Sequence, residues 1–227
     1  MGADRVSVFA ASMQGISVLL LGAGTTVVVS CIAIALGMFV AFPLCLLRLA
    51  RRRWLRAIAA AYVSFFRGVP LLVQLLIVYY FLPALGLDLP PFVAAVIALG
   101  LCTAAYQAEN LRGGFLIIPR GQEEAARAFG YTGAQTRRHI LIPQALRAVL
   151  PALMNEMIMI LKASSLVSVV GVADLTRASQ NIVARDLHAI KWYAAAALVY
   201  LVINLVLAAF GRALEGRLGA GFNAAAS

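Results

Sequence analysis

The stretch Gly24–Leu47 reads GTTVVVSCIAIALGMFVAFPLCLL, and the segment that follows it, residues 48–56, carries five arginines. The stretch contains no charged side chain and is longer than the ~20 residues that an α-helix needs to cross about 30 Å of hydrocarbon. Its polar content is limited to the short side chains of Thr25, Thr26 and Ser30. An apolar run that ends in clustered arginine is typical of a transmembrane helix whose C-terminal end lies in the cytoplasm.

The composition of the whole chain agrees with that interpretation. Of its 227 residues, 63% are hydrophobic and only 12% are charged, whereas soluble domains have about half and a quarter. The net charge of +10 would suggest nucleic-acid binding in a soluble protein. Here the arginines lie between apolar runs, without the interleaved aromatic side chains that stack on bases. The sequence therefore indicates a lipid bilayer as partner and no nucleic acid.

Four further apolar segments follow the first, so we expect an all-α polytopic membrane protein with about five transmembrane helices. It would form a single transmembrane domain, 1–227. The predicted spans are 24–47, 58–82, 91–111, 145–172 and 192–210. Arginines concentrate after the first, third and fifth spans and are sparse in the alternate connections. This asymmetry predicts an N-terminus outside the cell and a C-terminus in the cytoplasm.

The connection between the third and fourth spans, residues 113–144, is too long for a simple helix–helix turn. Gln122–Phe129 favours a helix, with acidic residues at its start and Arg127 near its end, and Gly130 supplies a stop. A second short helix is predicted over Ala134–His139, before Pro143 opens the fourth span. Two short helices joined by a tight turn would project into the cytoplasm, a shape suited to a groove in another protein.

These residues carry a resemblance to a known family. Glu124-Ala125-Ala126, followed by Gly130 and then by Ile140–Pro143, resembles the EAA loop of ABC importer permeases. Ile142 stands where that family has leucine. Further segments are similar to the polar amino-acid uptake permeases of the histidine/glutamine type: Phe66–Leu72, Ala105–Gly114, Pro143–Arg147 and Asn155-Glu156. Lys162–Leu166 departs from the commoner Lys-Asp-Thr-Ser-Leu. The resemblance covers about residues 24–210.

The resemblance implies a type I permease fold and a transport function in the bacterial inner membrane. A coupling helix would dock on an ABC ATPase dimer through Glu124, Ala125, Ala126, Arg127 and Gly130. The other implied partners are a second permease, identical or homologous, and a periplasmic amino-acid-binding protein. No cofactor is expected in this chain, since it lacks a phosphate-binding Gly-x-x-x-x-Gly-Lys loop, and ATP and Mg would bind the partner ATPase.

Charged and polar residues within or beside the spans are candidates for a substrate path, because such groups usually face a bundle interior or a wet cavity. A zwitterionic amino acid would suit a cavity lined by opposite charges, and Glu156 favours a cationic substrate. The alternatives are structural. Glu109 fits an ion pair with Arg112 or Arg67 better than a substrate contact, and Lys162 could form such a pair as well. The serines fit hydrogen bonds to a neighbouring helix or to their own backbone better than a ligand contact. The candidates are Glu156, Asn155, Lys162, Ser164, Ser165, Arg67 and Glu109.

Two other functions are weighed against the importer subunit. A stand-alone secondary transporter or channel for small polar solutes would have no need of the long loop. An intramembrane enzyme is disfavoured, because no activated nucleophile or paired acid is present, so no catalytic residue is assigned. No metal site is expected either, because Cys31, Cys45 and Cys102 lie in apolar runs and the two histidines are far apart.

Overall fold

The computed structural model describes helices within residues 2–223 and side chains within residues 14–216. In the described part, the chain forms nine α-helices and no β-strand, which confirms the all-α prediction. The helices are α1 (Gly2–Arg48), α2 (Arg53–Gly68), α3 (Leu71–Ala84), α4 (Pro91–Leu116), α5 (Arg120–Ala128), α6 (Gly133–Thr136), α7 (Ile142–Ala163), α8 (Leu175–Asp186) and α9 (Ala189–Asn223). A π-helical turn, Arg137–Leu141, joins α6 to α7, and a 3-10 helix, Ser164–Val170, follows α7.

About five membrane crossings were predicted, and the structure contains four or five. Four segments are long and apolar enough to cross a bilayer, and the pair α2 and α3 together makes a fifth. The four are Gln14–Arg48, Pro91–Leu116, Gly133–Val170 and Ala189–Gly216. The number and order of the spans therefore follow the sequence, while their ends and their continuity differ in the ways described next.

Helix α1 extends towards the N-terminus beyond Gly24, where the first predicted span starts. It runs without a break through Gly15, Gly22 and Gly24. Gly15 and Gly22 are needed for close packing. A Cβ on Gly15 would lie 2.1 Å from the Trp192 ring, and one on Gly22 would lie 2.8 Å from Cβ of Ala178. Helices that approach this closely need small residues at the contact.

The second predicted span is broken. Its two halves, α2 and α3, are bent by 105° at a short extended segment around Val69 and Pro70. Proline favours extended backbone in the residue before it, and Val69 has φ −93° and ψ 135°. The side-chain amide of Gln74 donates to the carbonyl oxygens of Phe66 (2.8 Å) and Val69 (2.7 Å). These bonds satisfy acceptors that the break leaves without helical partners.

Helix α4 is the centre of the bundle. In its most apolar stretch 67% of the residues are buried, against 11% for α9, which lies at the periphery. Small residues allow this close packing. The Thr103 side chain occupies the space that a Cβ on Gly37 would need, and the Leu36 side chain packs directly against Gly100. Around α4 lie α1, α2, α3 and α7. The side chains that face α4 from these helices therefore define the interior of the molecule.

The fourth predicted span, 145–172, corresponds to α7 and the 3-10 helix that follows it. The connection after it, for which no helix was predicted, contains the twelve-residue helix α8. Asp174 caps this helix, because its carboxylate accepts hydrogen bonds from the backbone N–H groups of Thr176 (3.2 Å) and Arg177 (2.9 Å). The α8 helix packs against α1 and α9.

Candidate coupling loop and transport path

The loop between α4 and α7 contains the predicted helix–glycine turn. Helix α5 ends at Ala128, and Gly130 follows with φ +79°, a left-handed conformation that glycine adopts without strain. Gly130 N–H bonds to Arg127 O (2.9 Å) and Tyr131 N–H bonds to Ala126 O (3.0 Å). This pair of bonds is the Schellman arrangement that closes a helix. The glycine turn is therefore a structural requirement of the loop.

The second part of the loop differs from the prediction. Helix α6 starts at Gly133 and continues through the π-helical turn into α7, so no separate helix covers Ala134–His139. Thr132 begins this long helical segment with a capping box, in which its side chain and that of Gln135 each accept from the other residue's backbone N–H. Pro143 lies in the first turn of α7, as expected, where a missing N–H costs little. The loop is thus connected rigidly to a membrane-spanning helix.

The side chains of α5 divide into an exposed and a buried set. Glu124, Ala125 and Arg127 are exposed, whereas Ala126 is 3% exposed and packs against the rest of the chain. Glu123 and Arg127 form an ion pair along the exposed face. Ala126 therefore holds the helix in place and is not available to a partner in this conformation. Beyond the helix, Phe129 is 83% exposed.

At the break between α2 and α3, two of the candidate path residues come near each other. The Arg67 guanidinium lies over the Tyr106 ring of α4, 5.2 Å from its centroid. One turn earlier on α4, Thr103 donates to the carboxylate of Glu156 on α7 at 3.4 Å. Glu156 is 7% exposed, and Arg67 is close enough to interact with it electrostatically. A cation and an anion thus flank one face of α4 beside the break.

Asn155 and Lys162 lie on a different face of α7. Both are exposed, and they share this face with Met159, whose sulfur is 4.0 Å from the Asn155 amide nitrogen. Among residues 14–216, no side chain pairs with Lys162. Asn155 and Lys162 are seven residues apart, about two helical turns, and share this face, whereas Glu156 is turned away from it, towards α4.

The two candidate serines bond to their own helix. Ser164 donates to Leu161 O (2.8 Å) and Ser165 donates to Lys162 O (2.9 Å). These bonds occupy the hydroxyl hydrogens at the point where α7 tightens into a 3-10 helix. Of the two structural alternatives, a neighbouring helix or the serine's own backbone, the structure contains the second.

Glu109 of α4 lies between Arg48, at the end of α1, and Arg112, one turn further along α4. Its carboxylate accepts from Arg48 Nε (2.8 Å) and from Arg112 Nε (2.9 Å), and its side chain is 14% exposed. This triad joins α1 to α4 near the loop of α5, roughly two helical turns along α4 from Thr103, the residue that contacts Glu156. The structural ion pair that the sequence favoured for Glu109 is present, with Arg48 as an additional partner.

Several polar residues of the interior were absent from the sequence-based candidates. Thr103 and Tyr106 contact the two charged candidates, and Gln74 holds the break. Gln107 is 1% exposed and its side-chain oxygen has no protein partner. Their common signal is a polar side chain within an apolar run. Tyr106 and Gln107 lie in the family-like segment Ala105–Gly114, whereas Thr103 and Gln74 lie outside the segments that carry the resemblance. Within the described residues no cluster of His, Cys, Asp or Glu could hold a metal ion.

Comparison with known proteins identifies the family. Residues 33–220 match the family model described as the binding-protein-dependent transport system inner membrane component. The chain belongs to this family. It is therefore a permease, a multi-pass protein of the inner membrane, and the match covers α4, the coupling loop and α7 in full.

Characterised relatives resemble the permease over most of its length. The octopine transport system permease protein OccM of Rhizobium meliloti is 40% identical over 82% of this chain and 80% of its own length. The arginine transport system permease protein ArtQ of Bacillus subtilis is 36% identical over 92% and 96%. The glutamine transport system permease protein GlnP of Escherichia coli is 40% identical over 71% and 74%.

Solved structures share the fold of the permease. A crystal structure of an amino acid ABC transporter with histidines superposes with a TM-score of 0.85 at 35% identity, covering 92% of this chain and 98% of that one. A methionine ABC transporter in an inward-facing conformation superposes with a TM-score of 0.77 at 21% identity, which shows a common fold. The type I permease fold implied by the sequence is confirmed.

Proposed function

We propose that the permease is the membrane-spanning subunit of an ATP-driven importer that carries a polar or charged amino acid from the periplasm to the cytoplasm. The relatives named for octopine, arginine and glutamine transport support an amino acid or an amino-acid derivative as the substrate class. The chain itself would be a transport subunit and not an enzyme, with ATP and Mg bound by a separate ATPase.

The observation that carries the proposal is the shape of the loop between α4 and α7. Helix α5 exposes Glu124, Ala125 and Arg127, and the rigid Gly130 turn places the apolar Phe129 outside the chain, 83% exposed. A large exposed aromatic beside a charged helix face is typical of a protein-binding surface. An ATPase dimer is the partner whose motion such a coupling helix would transmit to α7.

The substrate path would pass the break between α2 and α3. Arg67 is available for a carboxylate and Glu156 for an ammonium group, so the pair complements the two charges of an α-amino acid. Discontinuous helices beside charged groups at mid-membrane recur in transporters, because unwound backbone is tolerated only where it lines a cavity. Asn155 and Lys162 lie on the other, exposed face of α7, where they and the segment around Ser164 and Ser165 would contribute to a path shared with a second permease.

The remaining partners follow from this arrangement. Arg48 and Arg112 lie at the same end of the bundle as the coupling loop. Basic residues favour the cytoplasmic side, so this end would face the cytoplasm. The C-terminus would then be cytoplasmic and the N-terminus periplasmic. A periplasmic amino-acid-binding protein would deliver substrate at the opposite end. A second permease, identical or homologous, would complete the path, since one chain leaves a polar helix face uncovered.

The proposal is tested by purifying the tagged permease from its native membrane and reconstituting it in proteoliposomes with the subunits that accompany it. An ATPase should co-purify in about equal amount, and binding-protein-dependent uptake of a labelled amino acid should follow. Glu124→Arg reverses the charge on the docking face and should reduce both retained ATPase and uptake at least about tenfold. Glu156→Gln should retain the ATPase but lose uptake by a similar factor.

Asp88→Asn is the control for the acidic substitutions. Asp88 is exposed in the connection between α3 and α4, at the other end of the bundle from α5, and its loss should leave ATPase retention unchanged. A permease that elutes without any ATPase yet transports a solute would support a stand-alone transporter instead. Normal uptake by Glu124→Arg would show that α5 does not couple, and normal uptake by Glu156→Gln would remove that residue from the path.

A further inference from the structure

A cavity lies at the junction of α1, α8 and α9, far from the coupling loop and from Glu156. Its volume is about 790 Å³. Its walls come from residues 14–18 of α1, the last turn of α8 and the first turn of α9. Arg185, Asp186, His188, Lys191 and Trp192 form its polar side.

The cavity is placed at the boundary between lipid and water. Gln14 of α1 lines the cavity, and the membrane-crossing part of α9 begins at Ala189, between the cavity residues His188 and Lys191. The other end of α1, at Arg48, is paired with Glu109. At 1.5 Å per residue the two ends of this segment are about 50 Å apart. The cavity therefore lies at headgroup depth on the side opposite the coupling loop.

The polar side of the cavity carries an excess of positive charge. The buried Trp192 donates its indole N–H to Asp186, and this hydrogen bond holds the pKa of that carboxyl below its usual range. Asp186 is therefore ionised at neutral pH and also lies 3.3 Å from His188 Nδ1. Two permanent cations face it: Lys191, whose ammonium is 4.5 Å from the Trp192 ring centroid, and Arg185.

Arg185 is the group with unused binding capacity. Within residues 14–216 its guanidinium makes no hydrogen bond and no ion pair. A guanidinium offers a planar fork of donors that matches two oxygens of a phosphate. Placed in a concave site beside an indole ring, it is suited to an anion at the membrane surface.

Apolar side chains border the same opening. Val18 and Ile182 line the cavity, and Leu187 and Ile190 on either side of His188 are 84% and 88% exposed. Leu187 has φ +57°, a left-handed conformation that leucine seldom adopts. From the cavity towards the middle of the membrane, α1 and the peripheral α9 expose aliphatic side chains. An occupant with a charged head and apolar chains would satisfy both surfaces, whereas a free anion would leave the apolar one in water.

We propose that this cavity binds the phosphodiester headgroup of an anionic phospholipid, with Arg185 on the phosphate and the acyl chains along the exposed aliphatic face of α1. Lys191 and His188 add to the positive electrostatic potential at the phosphate, and Trp192 forms the floor of the cavity. The lipid would stabilise the junction of α1, α8 and α9. This role is independent of the transport that the permease performs.

The test measures lipid binding to the purified permease, with its accompanying subunits, in detergent. Phosphatidylglycerol is titrated against phosphatidylcholine and against inorganic phosphate, and bound lipid is counted by native mass spectrometry while the thermal melting midpoint is followed. Wild type should bind phosphatidylglycerol and melt at a higher temperature with it. Arg185→Gln should weaken that binding at least about tenfold, equivalent to about 1.4 kcal/mol.

Arg177→Gln is the matched control, because Arg177 is exposed on the same helix and does not line the cavity. It should bind phosphatidylglycerol as wild type does, and Arg185→Lys, which retains the charge, should keep more affinity than Arg185→Gln. Equal loss in Arg177→Gln and Arg185→Gln would overturn the site in favour of a general charge effect. Equal stabilisation by phosphatidylcholine, or by inorganic phosphate alone, would overturn the anionic lipid as its occupant.

Discussion

At the scale of single residues, Gly22 and Gly24 in α1 show how one residue type can serve opposite needs. A Cβ on Gly22 would lie 2.8 Å from Cβ of Ala178 and 2.9 Å from the carbonyl oxygen of Asp174. A Cβ on Gly24 would have nothing within 4 Å. The first glycine permits the contact between α1 and α8, and the second contributes no packing.

We therefore expect opposite effects from the same substitution at the two positions. Gly22→Ala should destabilise the protein by about 1–3 kcal/mol, because backbone of α8 must move to accept the methyl group. Gly24→Ala should be neutral or stabilise by about 0.5–1 kcal/mol, because alanine favours a helix over glycine. Melting midpoints of the two variants in one detergent check this, and a lower midpoint for Gly24→Ala than for Gly22→Ala would contradict the packing argument.

This pair of glycines also shows why a glycine in the sequence does not by itself define a helix end. A glycine signals either a helix end or a close approach, and only the partner surface decides between them. Gly130 shows the opposite outcome: its position after an alanine-rich helix predicted a stop, and the structure has one there. Local sequence was sufficient for the turn, because the turn depends on backbone geometry within a few residues.

At the scale of elements, the break between α2 and α3 depends on one buried side chain. Gln74 is 3% exposed and donates to Phe66 O and Val69 O, across the 105° bend. Removing the donor leaves carbonyl groups unsatisfied, at a cost of about 1–3 kcal/mol for each buried group. The angle between the two helices should therefore become less well defined without Gln74.

Gln74→Met tests this with little change of volume. Spin labels on cysteines at the exposed positions Ile58 and Tyr80 report the distance between α2 and α3, in a Cys31→Ser background that leaves only buried cysteines. We expect a narrow distance distribution that broadens in Gln74→Met. Gln180→Met on α8 is the control, and it should leave the distance distribution narrow. An unchanged distribution in Gln74→Met would assign the bend to Pro70 and its neighbours alone.

The break also marks the limit of prediction from the sequence at this scale. Gly68 and Pro70 lie inside the second predicted span and are residues at which a helix can break. The direction and size of the bend also depend on the two carbonyl oxygens to which Gln74 donates. Helix α8 was missed because the interval after the fourth span contains no long apolar run, and its capping residue Asp174 was not weighed. The proximity of Arg67 and Glu156 required the packing of three helices around α4, which spacing within one helix does not specify.

At the scale of the whole molecule, α7 presents a polar face that no described part of the chain covers. Asn155 and Lys162 are exposed and Met159 is 53% exposed, within a segment that crosses the membrane. An unpaired ammonium facing hydrocarbon is costly, so such residues normally face a water-filled cavity or another protein. The face is therefore the expected contact with a second permease around a shared path.

Photo-crosslinking from this face tests the assembly directly and captures an identical or a homologous partner equally well. With a benzophenone amino acid in place of Met159, irradiation of native membranes should give an adduct of about twice the mass of the chain, containing a second permease. The same group in place of Val206, which is 64% exposed on the peripheral α9, should react with lipid only. Lipid adducts alone at position 159 would mean that α7 faces the bilayer, and a permease adduct at position 206 alone would move the interface to α9. The first outcome would require Lys162 to be neutralised within the lipid by some other group, because burying its charge there unpaired would cost several kcal/mol.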